Sequence, residues 1–173
     1  LINNSNGDFR NLPVEVLEDK YPLKVTTYGL RPNSGGAGRN RGGLGIVREY
    51  EVRSEEANLY LWFERSITPA WGLFNGESGE KPRVIVQQAD NVEEMLKVNA
   101  KSLKQGDGVR TETGGGGGFG HPFDRNPERV LDDVIDGYID QKEALNKYGV
   151  VLKSGTYEVD HKETEIYRKT NRR

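Results

Sequence analysis

Three arginines and six glycines share one loop, in the stretch Arg31 to Gly45, "RPNSGGAGRNRGGLG". Arg39 and Arg41 flank Asn40 there, and a guanidinium held by a glycine-rich backbone can bind a phosphate or a carboxylate through paired hydrogen bonds. The alternative is structural, because an arginine can also bond the carbonyls of its own loop or stay solvated. The residues alone favour the structural role, and Arg41 is kept as a candidate catalytic residue.

Two carboxylates and one more arginine are further candidates. Glu15 and Glu18 lie three residues apart in "PVEVLEDKY", which puts them on one helix face, where they could orient a substrate or simply face solvent. Arg65 precedes the loop "SITPAWGL" and could pair with a carboxylate or serve the structure alone. The candidate catalytic residues are therefore Glu15, Arg41 and Arg65.

The two histidines and the absence of cysteine narrow the chemistry. His121 lies beside a glycine run with no second histidine near it in the sequence, which favours a structural role over a base or a metal ligand. His161 lies in a charged C-terminal stretch and is expected to be solvated. A chain without Cys has no disulfide, thiol nucleophile or thiolate zinc site, and this composition suits a reducing cytoplasm.

Bulk composition argues against two classes of partner. The formal net charge is −2, so the overall charge does not favour nucleic acid or an anionic membrane. No apolar run approaches the ~18 residues that a membrane-spanning helix needs. The sequence begins "LINNSNGDFRNLP", without Met or a signal-type apolar segment, and we interpret it as a fragment or a processed piece of a longer protein.

Five consecutive glycines, Gly114 to Gly118, raise the question of a ligand-binding loop. A P-loop needs Lys and Ser or Thr directly after its glycines, whereas Phe119, Gly120 and His121 follow here. A dinucleotide-binding loop must open a helix at the glycines, but the predicted helix cap, Asn126, comes six residues after Gly120. The residues alone leave a slack linker and an ordered, close-packed loop equally open.

These candidates need a framework, and the patterns predict strands followed by helices. Strand-like segments cover residues 23–30, 46–52, 57–65, 83–88 and 106–113, after a short helix that begins at Pro13. Asn126 predicts the start of a helix that runs from Pro127 to Tyr138, and Asp140 caps a second helix, 141–148. Strands first and helices last indicate an α+β fold with a mainly antiparallel core and glycine-rich loops.

The change in pattern after the glycine run predicts a division of the chain. Residues 1–125 form a strand-rich domain with a short N-terminal helix, and residues 126–173 form a C-terminal helical segment packed on its strand core. Ile135 and Leu145 are expected to be buried in that packing. In "ANLYLWFER" both faces of the strand are apolar, which predicts burial on both sides. Trp62 is then a core residue and Trp71 a loop anchor.

Three stretches carry a family resemblance when they are taken together. They are "RNLPVEVLEDKYPLKV", "RPNSGGAGRNRGGLGIVREYEV" and "ETGGGGGFGHPFDRNPERVLDDVIDGYIDQKEALNKYGVVL". In order, spacing and glycine placement they resemble the hydantoinase B/oxoprolinase family, in the C-terminal third of its N-methylhydantoinase B-type subunit. "WGLFNGESGE" is similar to the loop that the family has between the second and third stretches. The resemblance favours an ordered glycine run over a linker.

The resemblance implies one part of an ATP-dependent enzyme. B-type subunits work with an ATP-binding A-type subunit of actin-like fold, which phosphorylates the carbonyl oxygen of a cyclic amide or a ketone. The expected partners are the upstream part of the B-type subunit, the A-type subunit and a small cyclic amide. ATP and a divalent metal are implied for the full complex, with metal ligands upstream. No cofactor is expected on this chain, which offers no HxH or HxxH pair.

Three functions stay open at this point. The leading one is the C-terminal part of a cyclic-amide hydrolase of hydantoinase or 5-oxoprolinase type, inactive on its own. The second is part of an ATP-dependent acetone or acetophenone carboxylase, which differs in its final acceptor, bicarbonate or carbon dioxide instead of water. The third is a non-catalytic assembly domain that holds the A-type subunit or a second B-type subunit.

Overall fold

The computed structural model describes residues 11–65, 67–89 and 91–172. In chain order, their elements are α1 (Val14–Lys20), β1 (Leu23–Arg31), β2 (Gly45–Val52), β3 (Glu56–Trp62), β4 (Arg83–Gln88), β5 (Asn91–Glu94), β6 (Lys97–Lys104), β7 (Gly108–Glu112), α2 (Pro127–Ile135), α3 (Gln141–Asn146) and α4 (His161–Asn171). A short 3-10 helix, Pro122–Asp124, precedes α2. Residues 1–10, which suggested the interior of a longer protein, lie outside the described part.

Antiparallel pairing organises the strands into two sheets. Five strands lie in the order β1-β2-β7-β4-β5, and β3 pairs with β6 in a separate two-stranded sheet. The buried side chains of the strand core are Val52, Leu61, Val84, Val86, Leu103 and Val109. Valine is frequent because β-branched side chains pack well on a pleated surface. The predicted α+β fold, with antiparallel strands and mostly C-terminal helices, is confirmed.

Strand β3 is covered on one face only. Leu61 is buried, but Tyr60 is 53% exposed and Trp62 is 75% exposed. The prediction that this strand is buried on both sides was therefore wrong, and Trp62 is not a core residue. Within the described part of the chain no second layer covers this face of β3, which lies in a two-stranded sheet with β6.

Local signals place the starts of α2 and α3 correctly, whereas α1 begins at Val14 without a side-chain cap and α3 ends at Asn146 instead of residue 148. The side chains of Asn126 and Asp140 each accept a hydrogen bond from a first-turn backbone N–H, at 2.8 and 2.7 Å, as their cap positions predicted. Helix α2 ends at Ile135 instead of Tyr138. It ends early because Gly137 has a φ of 72°, a left-handed conformation that turns the chain.

The helices enclose a second core, separate from the strand core. Its buried members are Ala37, Val130, Leu131, Val134, Ile139, Ala144, Tyr148, Val150 and Val159. Ile135 is 58% exposed, so its predicted burial was wrong; the buried Asp133 takes the inward position on that turn. Leu145 is half-buried. Ala37 comes from the arginine-bearing glycine loop, and that loop is where the helices meet the rest of the chain. The division at residue 125 stays a prediction.

Candidate functional site

Three loops meet at the end of the larger sheet and form a close-packed unit that we call the glycine layer. They are residues 34–45, 70–80 and 114–120. The third loop lies between the other two, because the N–H of Gly116 donates to the carbonyl of Gly43 at 2.8 Å and the N–H of Gly118 donates to that of Glu77 at 2.9 Å. Glu77 in turn donates to Ala37 at 2.7 Å. Backbone hydrogen bonds therefore order all three loops.

The glycine run is needed because backbone lies directly against backbone. A Cβ atom on Gly115 or Gly117 would come closer than 3.0 Å to the carbonyl group of Ser34 or Trp71, respectively. Backbone atoms cannot rotate aside as a flexible side chain can. None of the residues Gly114 to Gly118 has a positive φ, so close approach, and not a left-handed turn, requires glycine here. The prediction of an ordered loop is confirmed.

The run does not offer its amides to a phosphate. Gly115, Gly116 and Gly118 donate their N–H groups to carbonyls of the other two loops at 2.8–3.0 Å. A phosphate-binding loop needs several amides that converge on open space, and three of the five are already paired. The glycine run therefore serves as a framework that holds the two neighbouring loops in place.

Arg41 reaches from the glycine layer to helix α2. Its Nε and Nη2 atoms donate to the two carboxylate oxygens of Asp133, each at 3.3 Å, and its Nη1 donates to the carbonyl of Gly42 at 2.9 Å. Arg125 donates to the same carboxylate at 2.8 Å. All three charged side chains are at most 16% exposed. One buried carboxylate thus joins two arginines, and we call this group the Asp133 cluster.

The Asp133 cluster gives Arg41 a structural role. Each nitrogen of its guanidinium has a protein acceptor, and the group lies 5.1 Å from the ring centre of Tyr138. Tyr148 lies nearby in the helical core, and burial raises the pKa of its hydroxyl to about 12, with the arginines opposing this rise. A catalytic role of Arg41 stays a prediction.

A groove of about 660 Å³ opens where β3 ends, and Arg65 lines it. The other lining residues lie at positions 62–64, 69–70, 80, 82 and 113–115. The backbone of Arg65 has a φ of 58° and its guanidinium lies 5.7 Å from the ring centre of Trp71. A left-handed conformation is uncommon outside glycine and often marks a functional constraint. The walls are mostly apolar; Arg65 is the cationic side chain of the groove, and the carboxylates of Glu64 and Glu80 also line it.

Glu15 lies away from this groove. It is exposed on α1, which packs on the edge strand β1. Glu18 accepts a hydrogen bond from the N–H of Val25 at 2.7 Å, so it ties α1 to that strand. The structure does not bring the three candidates together, since Arg41 belongs to the Asp133 cluster and Arg65 to the groove. Their catalytic roles stay predictions.

Both histidines have contacts in the structure. Nδ1 of His121 accepts a hydrogen bond from the N–H of Phe123 at 3.0 Å, and the two rings pack edge to face. This contact caps the 3-10 helix and gives His121 a structural contact, as its interpretation predicts. His161 is exposed, with Nε2 3.1 Å from the carboxylate of Glu128. Among residues 11–65, 67–89 and 91–172, no group of three His, Cys, Asp or Glu is placed to hold a metal ion.

The sequence interpretation missed a set of exposed apolar side chains around the groove. Ile67, Trp71 and Phe74 are 84%, 62% and 74% exposed, and Trp62, which lines the groove, is 75% exposed. The ring of Phe74 packs on that of Phe119, with centres 5.0 Å apart. The available signal was the loop after β3, in which large apolar residues alternate with Gly, Asn and Pro.

The comparisons with known proteins agree on one family. Residues 2–122 match the family model for hydantoinase B/oxoprolinase. The putative B-type subunit of a D-/L-hydantoinase from a Pseudomonas species is 32% identical, over 92% of this chain and 27% of that protein. The crystal structure of the ATP-dependent caprolactamase from Pseudomonas jessenii has a TM-score of 0.77 at 28% identity, over 90% of this chain and 28% of that one.

A nucleotide-free acetone carboxylase shares the fold, with a TM-score of 0.75 at 22% identity, over 91% of this chain and 26% of that one. The chain spans about a quarter of the length of the B-type hydantoinase subunit and of a similar protein from Methanocaldococcus jannaschii. Within the described residues, no helix has the length and apolar character to cross a membrane. On the match over residues 2–122, the chain belongs to the hydantoinase B/oxoprolinase family.

Proposed function

We propose that the chain is the C-terminal part of the B-type subunit of an ATP-dependent cyclic-amide hydrolase. The family match over residues 2–122 carries the proposal. The likeness to a hydantoinase of this type and to a caprolactamase supports a cyclic amide as the substrate class. The partners in this proposal are the remainder of the B-type subunit and an ATP-binding A-type subunit, assembled in the cytoplasm.

In this function the chain supplies a rigid wall of the site, and Arg65 is its cationic group beside the carboxylates of Glu64 and Glu80. An amide carbonyl is a poor electrophile, and its oxygen becomes a leaving group once it is phosphorylated. The activated substrate is anionic, so a guanidinium at the groove stabilises it, and apolar walls limit the access of bulk water. The glycine layer holds the groove because Gly114 and Gly115 form part of its lining.

ATP and the divalent metal are assigned to the other parts of the complex. The described residues offer no metal-binding group, and three amides of the glycine run donate to backbone carbonyls. Both groups are therefore held by other parts of the complex in this proposal, and the chain alone does not turn over substrate.

The test compares the assembled complex with the chain alone. Ring opening of hydantoin, 5-oxoproline and caprolactam is followed together with ADP release. We expect ATP-dependent turnover by the complex and none by the chain. Arg65→Met should lower kcat/KM by about 10²-fold, as for loss of a charge-stabilising donor. Arg53→Met, which changes an arginine outside the groove-lining set, is the matched control.

Two other outcomes would replace the proposal. Consumption of a ketone and bicarbonate with ATP, in the absence of amide hydrolysis, would identify a carboxylase. Full amide hydrolysis by a complex that lacks this chain would identify a non-catalytic assembly domain. Equal rates for Arg65→Met and the wild type would remove Arg65 from the site.

A further inference from the structure

Four large apolar side chains at the groove and in the loop beside it are exposed, and we call them the aromatic face. They are Trp62, Trp71, Leu73 and Phe74. Side chains of this kind are buried in most proteins when they occur together, and single exposed ones need no explanation. Four such side chains close together therefore indicate a binding partner.

The groove and one loop connect these side chains, since Leu73 and Phe74 closely follow Trp71 in the sequence. Trp62 and Arg65 line the same groove, and the guanidinium of Arg65 lies 5.7 Å from the ring centre of Trp71. Phe74 packs on Phe119. Glu64 and Glu80 lie along the groove as well. An apolar centre with charged groups at its edge is the usual composition of a protein interface.

The glycine layer fixes this surface in its exposed position. Leu73 donates its N–H to Gly118 at 2.9 Å, and Gly79 donates to Ala70 at 2.9 Å. Phe74 has a φ of 50°, which costs free energy for a non-glycine residue and persists only where the surrounding structure imposes it. A loop held in this way keeps its aromatic rings in solvent and binds a partner without first becoming ordered.

The pattern of β3 indicates what kind of partner covers the surface. Its residues are apolar on both faces, as in strands that lie between two layers. Leu61 faces the strand core, whereas Tyr60 and Trp62 point to the uncovered side. The sequence is thus that of a strand with a second covering layer, and the described residues supply only one.

We propose that the aromatic face docks the polypeptide that corresponds to the remaining three-quarters of the B-type subunit. This inference rests on the proposed function, and the relatives' length supports it, because the chain spans about a quarter of them. A contact within one folded subunit is permanent, and permanent interfaces are the most apolar, like a domain core cut in half. The aromatic face has that composition.

The two tryptophans make the proposal directly measurable. They are the only Trp residues of the chain, and both belong to the aromatic face. The chain is labelled with 5-fluorotryptophan and mixed with the unlabelled native polypeptide that carries the rest of the B-type sequence. In the free chain, both fluorine resonances should shift between H₂O and D₂O. In the complex, that solvent isotope shift should be lost for both residues.

Substitutions then test the energetic contribution of the face. Trp71→Ala should weaken the complex at least tenfold in Kd, because aromatic anchors carry most of the binding energy of an interface. Tyr157→Ala, which removes an exposed aromatic ring outside the face, is the matched control and should bind as the wild type does. The labelling experiment uses the unchanged sequence, so it does not depend on the folding of a variant.

Several results would overturn the inference. Retained isotope shifts in the complex would place the interface elsewhere. Protection that grows with the concentration of the chain alone would identify a second copy as the occupant, and protection by the A-type subunit alone would identify that subunit. The test is independent of turnover: an inactive complex with protected tryptophans would remove the proposed function and leave the docking surface intact.

Discussion

In the strand core, Val84 and Val86 are fully buried by the side chains around them, whereas in the glycine layer Gly117 lies against the carbonyl of Trp71 with no side chain between the two backbones. The core is held by apolar contact and the layer by hydrogen bonds between loops. This difference predicts that the two regions respond in opposite ways to a change in side-chain size. A core position loses stability when its side chain is shortened, and a position in the layer loses stability when any side chain is added.

The largest expected effect is at the connection between the layer and the helical core. Asp133→Asn removes the negative charge that two buried arginines share. We expect a loss of about 3–5 kcal/mol in the free energy of unfolding, as for a buried ion pair that loses one partner. Denaturant unfolding measures it. Asp132→Asn, the exposed neighbour, should change little, and equal losses for both would show that the Asp133 cluster adds no stability.

A core position should respond next most strongly. Leu103→Ala removes a side chain that is 3% exposed in the strand core and should cost about 2–5 kcal/mol. Ile135→Ala, at an exposed position that periodicity had placed in the core, is the matched control and should cost little. Thermal and denaturant unfolding give both values. A large loss for Ile135→Ala would show that this face of α2 is covered in solution.

The glycine layer gives the reciprocal test. Gly117→Ala places a Cβ closer than 3.0 Å to the Trp71 carbonyl and should cost about 1–3 kcal/mol, the usual range for overpacking. Gly43→Ala lies in the same layer but has no atom within 4 Å of its Cβ position. That control should be neutral or slightly stabilising, because alanine restricts the unfolded chain. Similar unfolding midpoints for the two variants would contradict backbone packing as the reason for the glycine run.

The smallest effect concerns pH at the edge of the layer. Burial raises the pKa of Glu143 above its ordinary value of 4.5, and nearby Lys147 opposes this. Because the folded pKa is the higher one, the folded state holds this proton more tightly. Its contribution to stability is therefore present below about pH 4.5 and is lost as pH rises through the folded pKa.

Glu143→Gln should remove that dependence, so the stability of the variant relative to the wild type should rise from pH 4 to pH 7. Unfolding midpoints over this range measure the difference, with Glu55→Gln, an exposed residue outside the layer, as the control. Parallel pH curves for Glu143→Gln and the wild type would contradict the assignment.

Local chemistry was readable from the sequence. Asn126 and Asp140 start their helices because a cap needs only a side-chain oxygen and the next turn of backbone. The α+β class followed from the order of the strand-like and helix-like patterns. The family resemblance also lies in local motifs, and the match over residues 2–122 confirms it.

The packing between distant segments was not readable. Ile135 and Asp133 compete for the inward side of α2, and Asp133 takes it because Arg41, far away in the sequence, supplies its partner. Nothing in the sequence of the glycine run indicates that the backbone of Ser34 and of Trp71 lies against it. The groove at Arg65 depends on the same long-range packing. Arg65 could therefore be named as a candidate from the sequence, but the groove around it could not be predicted.

The glycine layer also bears on how the protein responds to cold. Unfolding raises the heat capacity where apolar surface becomes exposed and lowers it where polar surface does. The layer consists largely of paired backbone groups, so it adds little to the heat-capacity change, and the two apolar cores supply most of it. Hydrophobic contacts weaken on cooling. Near the freezing point the cores should therefore lose more of their stability than the layer, and the amides of Gly115, Gly116 and Gly118 should be among the last to exchange with solvent.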